Sequence, residues 1–208
     1  METIPQRPVS KNPIETETGK RRLARIEAFK AENDPKVYLA LKYCIHYHRG
    51  QFRKGNKDPY YMHPIAVAEL LAKFGYNDPV TQCMALLHDT VEDSPLRMDQ
   101  VTEVFGFEIS HGVYVLSRNK GKIRSGEKLS DEDYKARLGF ARNKIKRVKI
   151  ADVTVNTMDL ETLNPTGIER KIKDSETFYI PMGREICPLM IKELEENIRN
   201  YKEKFGVK

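Results

Sequence analysis

An apolar run that ends in two strongly polar residues constrains this chain more than any other feature. Met84-Ala85-Leu86-Leu87 suits a buried helix, yet His88-Asp89 follows at once, with Glu92 and Asp93 one turn beyond. Residues three or four apart share a helix face, so HDTVED would form a contiguous polar patch at the end of a core element. Burying three carboxylates and an imidazole side by side is costly unless something cationic joins them. A divalent metal would meet that need, since imidazole and carboxylate are borderline and hard ligands. Two adjacent residues cannot fill a coordination sphere. Two other positions offer ligands: His63, directly before Pro64 at an expected helix start, and Asp152, inside the otherwise apolar 148–155 run with Asn156 one turn further on. Mixed His/Asp ligation leaves open positions for water and a phosphate oxygen, as metal-assisted hydrolysis requires. Each residue also has a plainer reading. A single His-Asp pair is a weak signal, His63 could be only a helix-start residue, and Asp152 could simply pair with Lys149. The four positions together, with Glu92, Asp93 and Asn156 at turn spacing, carry the expectation.

The rest of the chain reads as helices. Residues 1–18 hold three prolines and few apolar residues, which predicts a flexible arm ahead of a single domain over 19–208. Apolar residues recur at helical spacing over 19–32 and again over 35–49, where Val37, Leu41, Cys44, Ile45 and His48 share a face. GQFRKGNKDP is a loop by its glycines, charges and closing proline. A helix is expected from His63-Pro64 to Gly75, and Asn77-Asp78-Pro79 caps another that runs to Asp93. Short helices follow over 98–105, closed by Gly106, and over 108–116. The polar, basic segment 117–130 reads as an exposed, mobile loop, and Asp131-Glu132-Asp133 opens the next helix with acids at its positive end. Residues 144–160 continue helically despite the β-branched Val153, Thr154 and Val155. Asn164-Pro165 breaks that helix, and a last helical region reaches about residue 205, interrupted near Pro188. Strand-like alternation is nearly absent. The expected fold is all-α, a compact helical bundle around one metal site.

Composition narrows the class further. A 208-residue chain that is 39% hydrophobic and 32% charged suits one soluble domain. No stretch approaches the roughly 20 apolar residues of a membrane span, and the first residues contain no signal-peptide core, so a cytoplasmic location is expected. The three cysteines, Cys44, Cys83 and Cys187, lie far apart in apolar surroundings and read as buried thiols. A net charge of +6 favours polyanionic partners. Nucleic acid and a phosphate-rich small molecule both qualify, although no aromatic-rich basic motif argues for nucleic acid.

HRGQFRKG (48–55), PYYMHPIAVAELLAKFG (59–75), ALLHDTVEDSP (85–95), VTEVFG (101–106) and VKIADVTVN (148–156) resemble, in order and spacing, the HD-type hydrolase domain of the RelA/SpoT family. The likeness is greatest to its small stand-alone alarmone hydrolases. ETFYIPMG (176–183) is a fainter echo. The resemblance implies a helical bundle around one divalent metal, usually manganese. It also implies removal of the 3′-pyrophosphate from guanosine tetra- or pentaphosphate to give GDP or GTP. Carried over by position, it puts the metal on His63, His88, Asp89 and Asp152 and makes Glu92 and Asp93 the acids that position and activate water. Arg53 and Lys54 become a basic pair near the substrate, Asn156 a polar residue at the nucleotide, and Tyr179 a late aromatic in the site. His48 supports the site without ligating metal, and His46 and His111 are ordinary packing or surface residues.

Some positions depart from the family's pattern. Val153 stands where a lysine usually follows the aspartate, and Ser117-Arg118-Asn119-Lys120 replaces an acidic motif. The chain also leaves no room for a synthetase domain. These departures keep two other readings open. One is a phosphohydrolase for another phosphorylated nucleotide, such as NADPH or a nucleoside monophosphate. The other is a nucleotide-binding module without turnover.

Overall fold

Prolines open several of the helices and glycines close several of them. The computed structural model describes residues 24–27, 34–53, 58–118, 129–158 and 160–206. The chain divides into two units, Met1–Asp34 and Pro35–Lys208. In the first, residues 24–27 are helical; the arm expected over 1–18 and its boundary lie outside the described residues.

The second unit begins with α1 (Pro35–Tyr47); of the expected face Val37, Leu41 and Cys44 are buried, as is His48 just beyond the helix, Ile45 is half-buried, and Ala40 is buried as well. After an isolated antiparallel bridge between Phe52 and Pro59 comes α2 (Met62–Lys73), with His63 and Pro64 in its first turn. Gly75, at φ 81°, ends that helix in a left-handed conformation that suits glycine. The central element is α3 (Pro79–Leu87). Asp78 caps it by accepting from Thr81 N at 3.2 Å, Pro79 occupies its first turn, and every residue from Thr81 to Leu87 is buried. It packs against α1, α2, α6 (Phe107–Leu116) and α8 (Asn143–Thr157). Gln82, buried among apolar neighbours, donates its amide N–H groups to the carbonyls of Ala68 and Tyr76, both at 3.1 Å.

The sequence predicts one helix as far as Asp93; the structure breaks it. His88 and Asp89 form a turn, and a separate four-residue helix, α4 (Thr90–Asp93), follows. The remaining helices are α5 (Met98–Phe105), α7 (Asp131–Gly139), α9 (Pro165–Asp174), α10 (Ile180–Gly183) and α11 (Pro188–Phe205). The β-branched stretch of α8 is helical, and its buried threonines satisfy their hydroxyls on the helix itself. Thr154 Oγ1 donates to Ile150 O at 2.8 Å and Thr157 Oγ1 to Thr154 O at 2.6 Å. Asn164 is an N-cap rather than only a break, accepting from Gly167 N at 2.8 Å. Between α9 and α10 the backbone widens into a π-turn over Ser175–Tyr179, a feature that helical periodicity did not predict. Pro181 lies just beyond it and has no N–H to donate to the preceding turn.

Among the described residues there is no strand, and no helix is long and apolar enough to cross a membrane. All three cysteines are buried thiols that form no disulfide. Of the loop expected over 117–130, residues 119–128 lie outside the described residues.

Candidate metal centre and the adjoining cavity

Three segments converge on one buried polar cluster. His63 comes from the first turn of α2, His88 and Asp89 from the turn after α3, and Asp152 from the middle of α8. His63, His88 and Asp152 are almost fully buried. The ligand atoms of His63, His88 and Asp89 all lie within 4.8 Å of one another. Asp152 Oδ1 joins them, 3.0 Å from His63 Nε2 and 3.7 Å from His88 Nε2. The structure therefore brings together all four positions expected from the sequence.

The donor set fits a cation. His88 Nδ1 lies 2.7 Å from the Ala85 carbonyl, which can only accept, so Nδ1 carries a proton and turns Nε2 inward. Nε2 lies 3.0 Å from Asp89 Oδ2, yet without hydrogen-bond alignment. A ring nitrogen and a carboxylate oxygen meeting in that way are better suited to a shared ion than to each other. Burial alone would lower the His88 pKa, but Asp89 and Asp152 outweigh it and raise it well above the ordinary histidine range. That shift expresses the same demand for positive charge. For His63 burial prevails and holds the imidazole below its usual value, which favours the neutral form that binds metal.

Neighbouring side chains orient the carboxylates. Tyr60 donates its hydroxyl to Asp89 Oδ2 at 2.8 Å. Lys149 Nζ donates to Asp152 Oδ2 at 2.8 Å, and Asn156 Nδ2 donates to Asp152 Oδ1 at 2.6 Å. Burial opposes ionisation of Asp152, but Lys149 and the two imidazoles outweigh it and hold the carboxyl well below the usual range. Arg53 reaches across to donate to Asn156 Oδ1 at 3.2 Å, joining the loop after α1 to α8. Lys54 lies outside the described residues.

Beside Asp152 opens a cavity of about 470 Å³, lined by Asn156, Val153, Tyr179 and a group of cations: Lys149, Arg118, Arg170 and Lys171. The π-turn brings Tyr179 to this wall, with Lys149 Nζ 5.9 Å from its ring centroid. Three of the cations were not picked out from the sequence. Lys149 stood three residues before Asp152 and could have been found by helical spacing, but it was read only as a possible ion-pair partner. Lys171 and Arg170 sit on α9 behind a turn whose path no local pattern shows.

The acidic pair follows on α4, where Glu92 accepts a hydrogen bond from the backbone N–H of Arg118 at 2.8 Å. Asp93 is exposed at the end of α4. His48, expected to support the site, is fully buried, and its ring packs on Tyr60 at 4.8 Å between centroids. His46, near the end of α1, meets Tyr47 edge-on, and His111, within α6, stacks on Phe107.

The fold and this centre define a class: the chain belongs to the HD domain family, whose model matches residues 40–183. Divalent metal binding goes with that family, in keeping with the cluster at His63, His88 and Asp89. Among its relatives is the guanosine-3′,5′-bis(diphosphate) 3′-pyrophosphohydrolase of Haemophilus influenzae, 34% identical over 153 residues, which are 72% of this chain and 22% of the relative. A GTP pyrophosphokinase of Streptomyces coelicolor is 32% identical over 178 residues, 79% of this chain and 20% of the relative. The bifunctional (p)ppGpp synthase/hydrolase SpoT of Escherichia coli K12 is 32% identical over 153 residues, 72% of this chain and 22% of the relative. The chain thus spans about a fifth of the length of these relatives. A solved structure described as a metazoan ortholog of SpoT that hydrolyzes ppGpp matches the fold with a TM-score of 0.70 and 23% identity, over 81% of this chain and 97% of that one.

Proposed function

We propose that this chain is a manganese-dependent hydrolase that removes the 3′-pyrophosphate from guanosine tetra- and pentaphosphate, releasing GDP or GTP and pyrophosphate. One observation carries the reading: a buried His/His/Asp/Asp cluster opens directly onto a cavity walled by lysines and arginines. A nucleotide bearing phosphates at two positions needs both features. The names of the relatives at about a third identity support the same substrate.

Within this reading His63, His88, Asp89 and Asp152 hold the ion. When bound, a divalent metal supplies a Lewis acid for a phosphoryl oxygen and a water of lowered pKa. Glu92 and Asp93, closing the short helix that follows Asp89, take the proton from the attacking water. Lys149, Lys171 and Arg170 neutralise phosphate oxygens in the cavity, and Arg53 and Lys54 do so from the loop after α1. Asn156 and Tyr179 bind the nucleoside portion, the amide by hydrogen bonding and the ring by packing. A substrate of such charge implies a cytoplasmic location.

The test is a nucleotide panel. Purified protein with manganese is incubated with guanosine tetraphosphate, NADPH and nucleoside monophosphates, and released pyrophosphate and phosphate are measured. Pyrophosphate from guanosine tetraphosphate that vanishes in His88→Ala supports the reading; none from the wild type overturns it. Val153 on the cavity wall, where the family usually has a lysine, motivates the other nucleotides.

A further inference from the structure

The loop that carries Arg53 has a neck, and two residues facing each other across that neck reach the two ends of the Asp89–Asp93 segment. Tyr60 N donates to Gln51 O at 2.9 Å and Arg53 N to Asp58 O at 2.8 Å, on either side of the Phe52–Pro59 bridge. From this frame the Tyr60 hydroxyl donates to Asp89 Oδ2 at 2.8 Å. The Gln51 amide donates to the carbonyl oxygen of Asp93 at 2.7 Å.

His48 sets both. The Asp93 carbonyl can only accept, so Gln51 must present its Nε2 there and its Oε1 to His48 Nδ1, 2.7 Å away. The bond from His48 therefore fixes which way the glutamine amide faces. The same imidazole lies on the Tyr60 ring and holds the phenol against rotation.

The segment needs such a hold. The helix is broken at His88-Asp89, and α4 has only four residues, too few to be stable by itself. We propose that Gln51 and Tyr60, set by His48, form a positioning clamp that fixes the distance between Asp89 and the acid pair Glu92-Asp93. Tyr60 grips the ligand end, and Gln51 grips the end that carries the acids. The clamp rests on the reading that Asp89 binds metal and the acid pair serves the attacking water. A displacement of about 1 Å between such groups can cost roughly a hundredfold in rate.

Gln51→Ala, Gln51→Glu and Tyr60→Phe test it, with manganese content, kcat and KM on guanosine tetraphosphate, melting temperature, and amide hydrogen exchange over residues 90–95 measured for each. Gln51→Ala is expected to keep its metal and its KM within about threefold while kcat falls about 10- to 100-fold and exchange over 90–95 speeds up. Gln51→Glu still accepts from His48 but has no proton to give Asp93, so it should match Gln51→Ala. Tyr60→Phe should instead weaken manganese binding by about tenfold. Unchanged kcat and unchanged exchange in Gln51→Ala would overturn the clamp, as would faster exchange spread evenly through the whole domain. A wild type that does not turn over the tetraphosphate would overturn the substrate reading alone, and the exchange over 90–95 would still decide the clamp.

Discussion

Lys149 Nζ donates to Asp152 Oδ2 at 2.8 Å from the preceding turn of the same helix, while Asp152 Oδ1 faces His63 Nε2 at 3.0 Å. One carboxylate is thus divided between a structural ion pair and the candidate metal centre. The ion-pair reading of Asp152 holds for Oδ2, while Oδ1 is left facing the candidate metal centre. Asp152→Asn should therefore lose metal binding and also leave the buried Lys149 ammonium without its partner, at about 3 kcal/mol of stability. Adding Lys149→Met should recover most of the stability and none of the metal. Metal analysis and chemical denaturation of the single and double variants separate the two effects; a double variant as unstable as the single one would count against the division.

Ligand and acid should also separate cleanly. His88→Ala is expected to lose metal and turnover together, each by more than about a hundredfold, because even outer partners of a metal site cost 10–100-fold. Glu92→Gln should retain metal, since Glu92 accepts from Arg118 N, outside the four clustered residues. Its turnover should fall about 10²- to 10⁴-fold, the usual worth of a general base. Metal content beside kcat for both variants is the check. Wild-type turnover in Glu92→Gln would remove that residue from the chemistry.

Asp78 gives the fold an acid sensitivity away from the site. Burial opposes its ionisation, but bonds from Lys144 at 2.9 Å and from Thr81 outweigh that and lower its pKa below the ordinary 3.8. A carboxylate with a lowered folded pKa stabilises the fold fully above its unfolded value, and that contribution fades as pH falls through the folded value. Asp78→Ala should lose about 1 kcal/mol at neutral pH through the missing cap. The gap to wild type should close only below about pH 4. Denaturation midpoints from neutral to strongly acidic pH measure this.

Gly183 is needed for close approach rather than for an unusual backbone. A Cβ there would stand 2.5 Å from Ile191 Cδ1 and 2.6 Å from Ile150 Cδ1, where α10 lies against α8 and α11. Gly183→Ala should cost about 1–3 kcal/mol by overpacking, read as a lower melting temperature. Because α8 also carries Asp152, metal affinity is expected to drop with it.

Most of the bundle was legible along the chain because its signals are local. Proline and Asp78 start α3, Gly75 and Gly106 end helices, and apolar spacing marked the buried face of α1. The residues that cluster were legible as well, since His88, Asp89 and Asp152 interrupt apolar runs. Less of the second tier could be read. Nothing local shows that Tyr60 and Gln51 would meet Asp89 and Asp93, or that Lys171 and Arg170 would wall a cavity beside Asp152.

The polar patch after Leu87 shows where the division falls. From the sequence alone come the helical class, the family resemblance and the expectation that His63, His88, Asp89 and Asp152 gather around a cation. The helical class follows from periodicity and the expected cation site from the cost of burying charge, which act residue by residue, and the resemblance rests on the motifs those residues spell. Only the tertiary structure decided that Glu92 meets the backbone N–H of Arg118 and that the two histidines gather with the aspartates. Those meetings join residues far apart in the chain, and their geometry exists only once α2, α3 and α8 have packed.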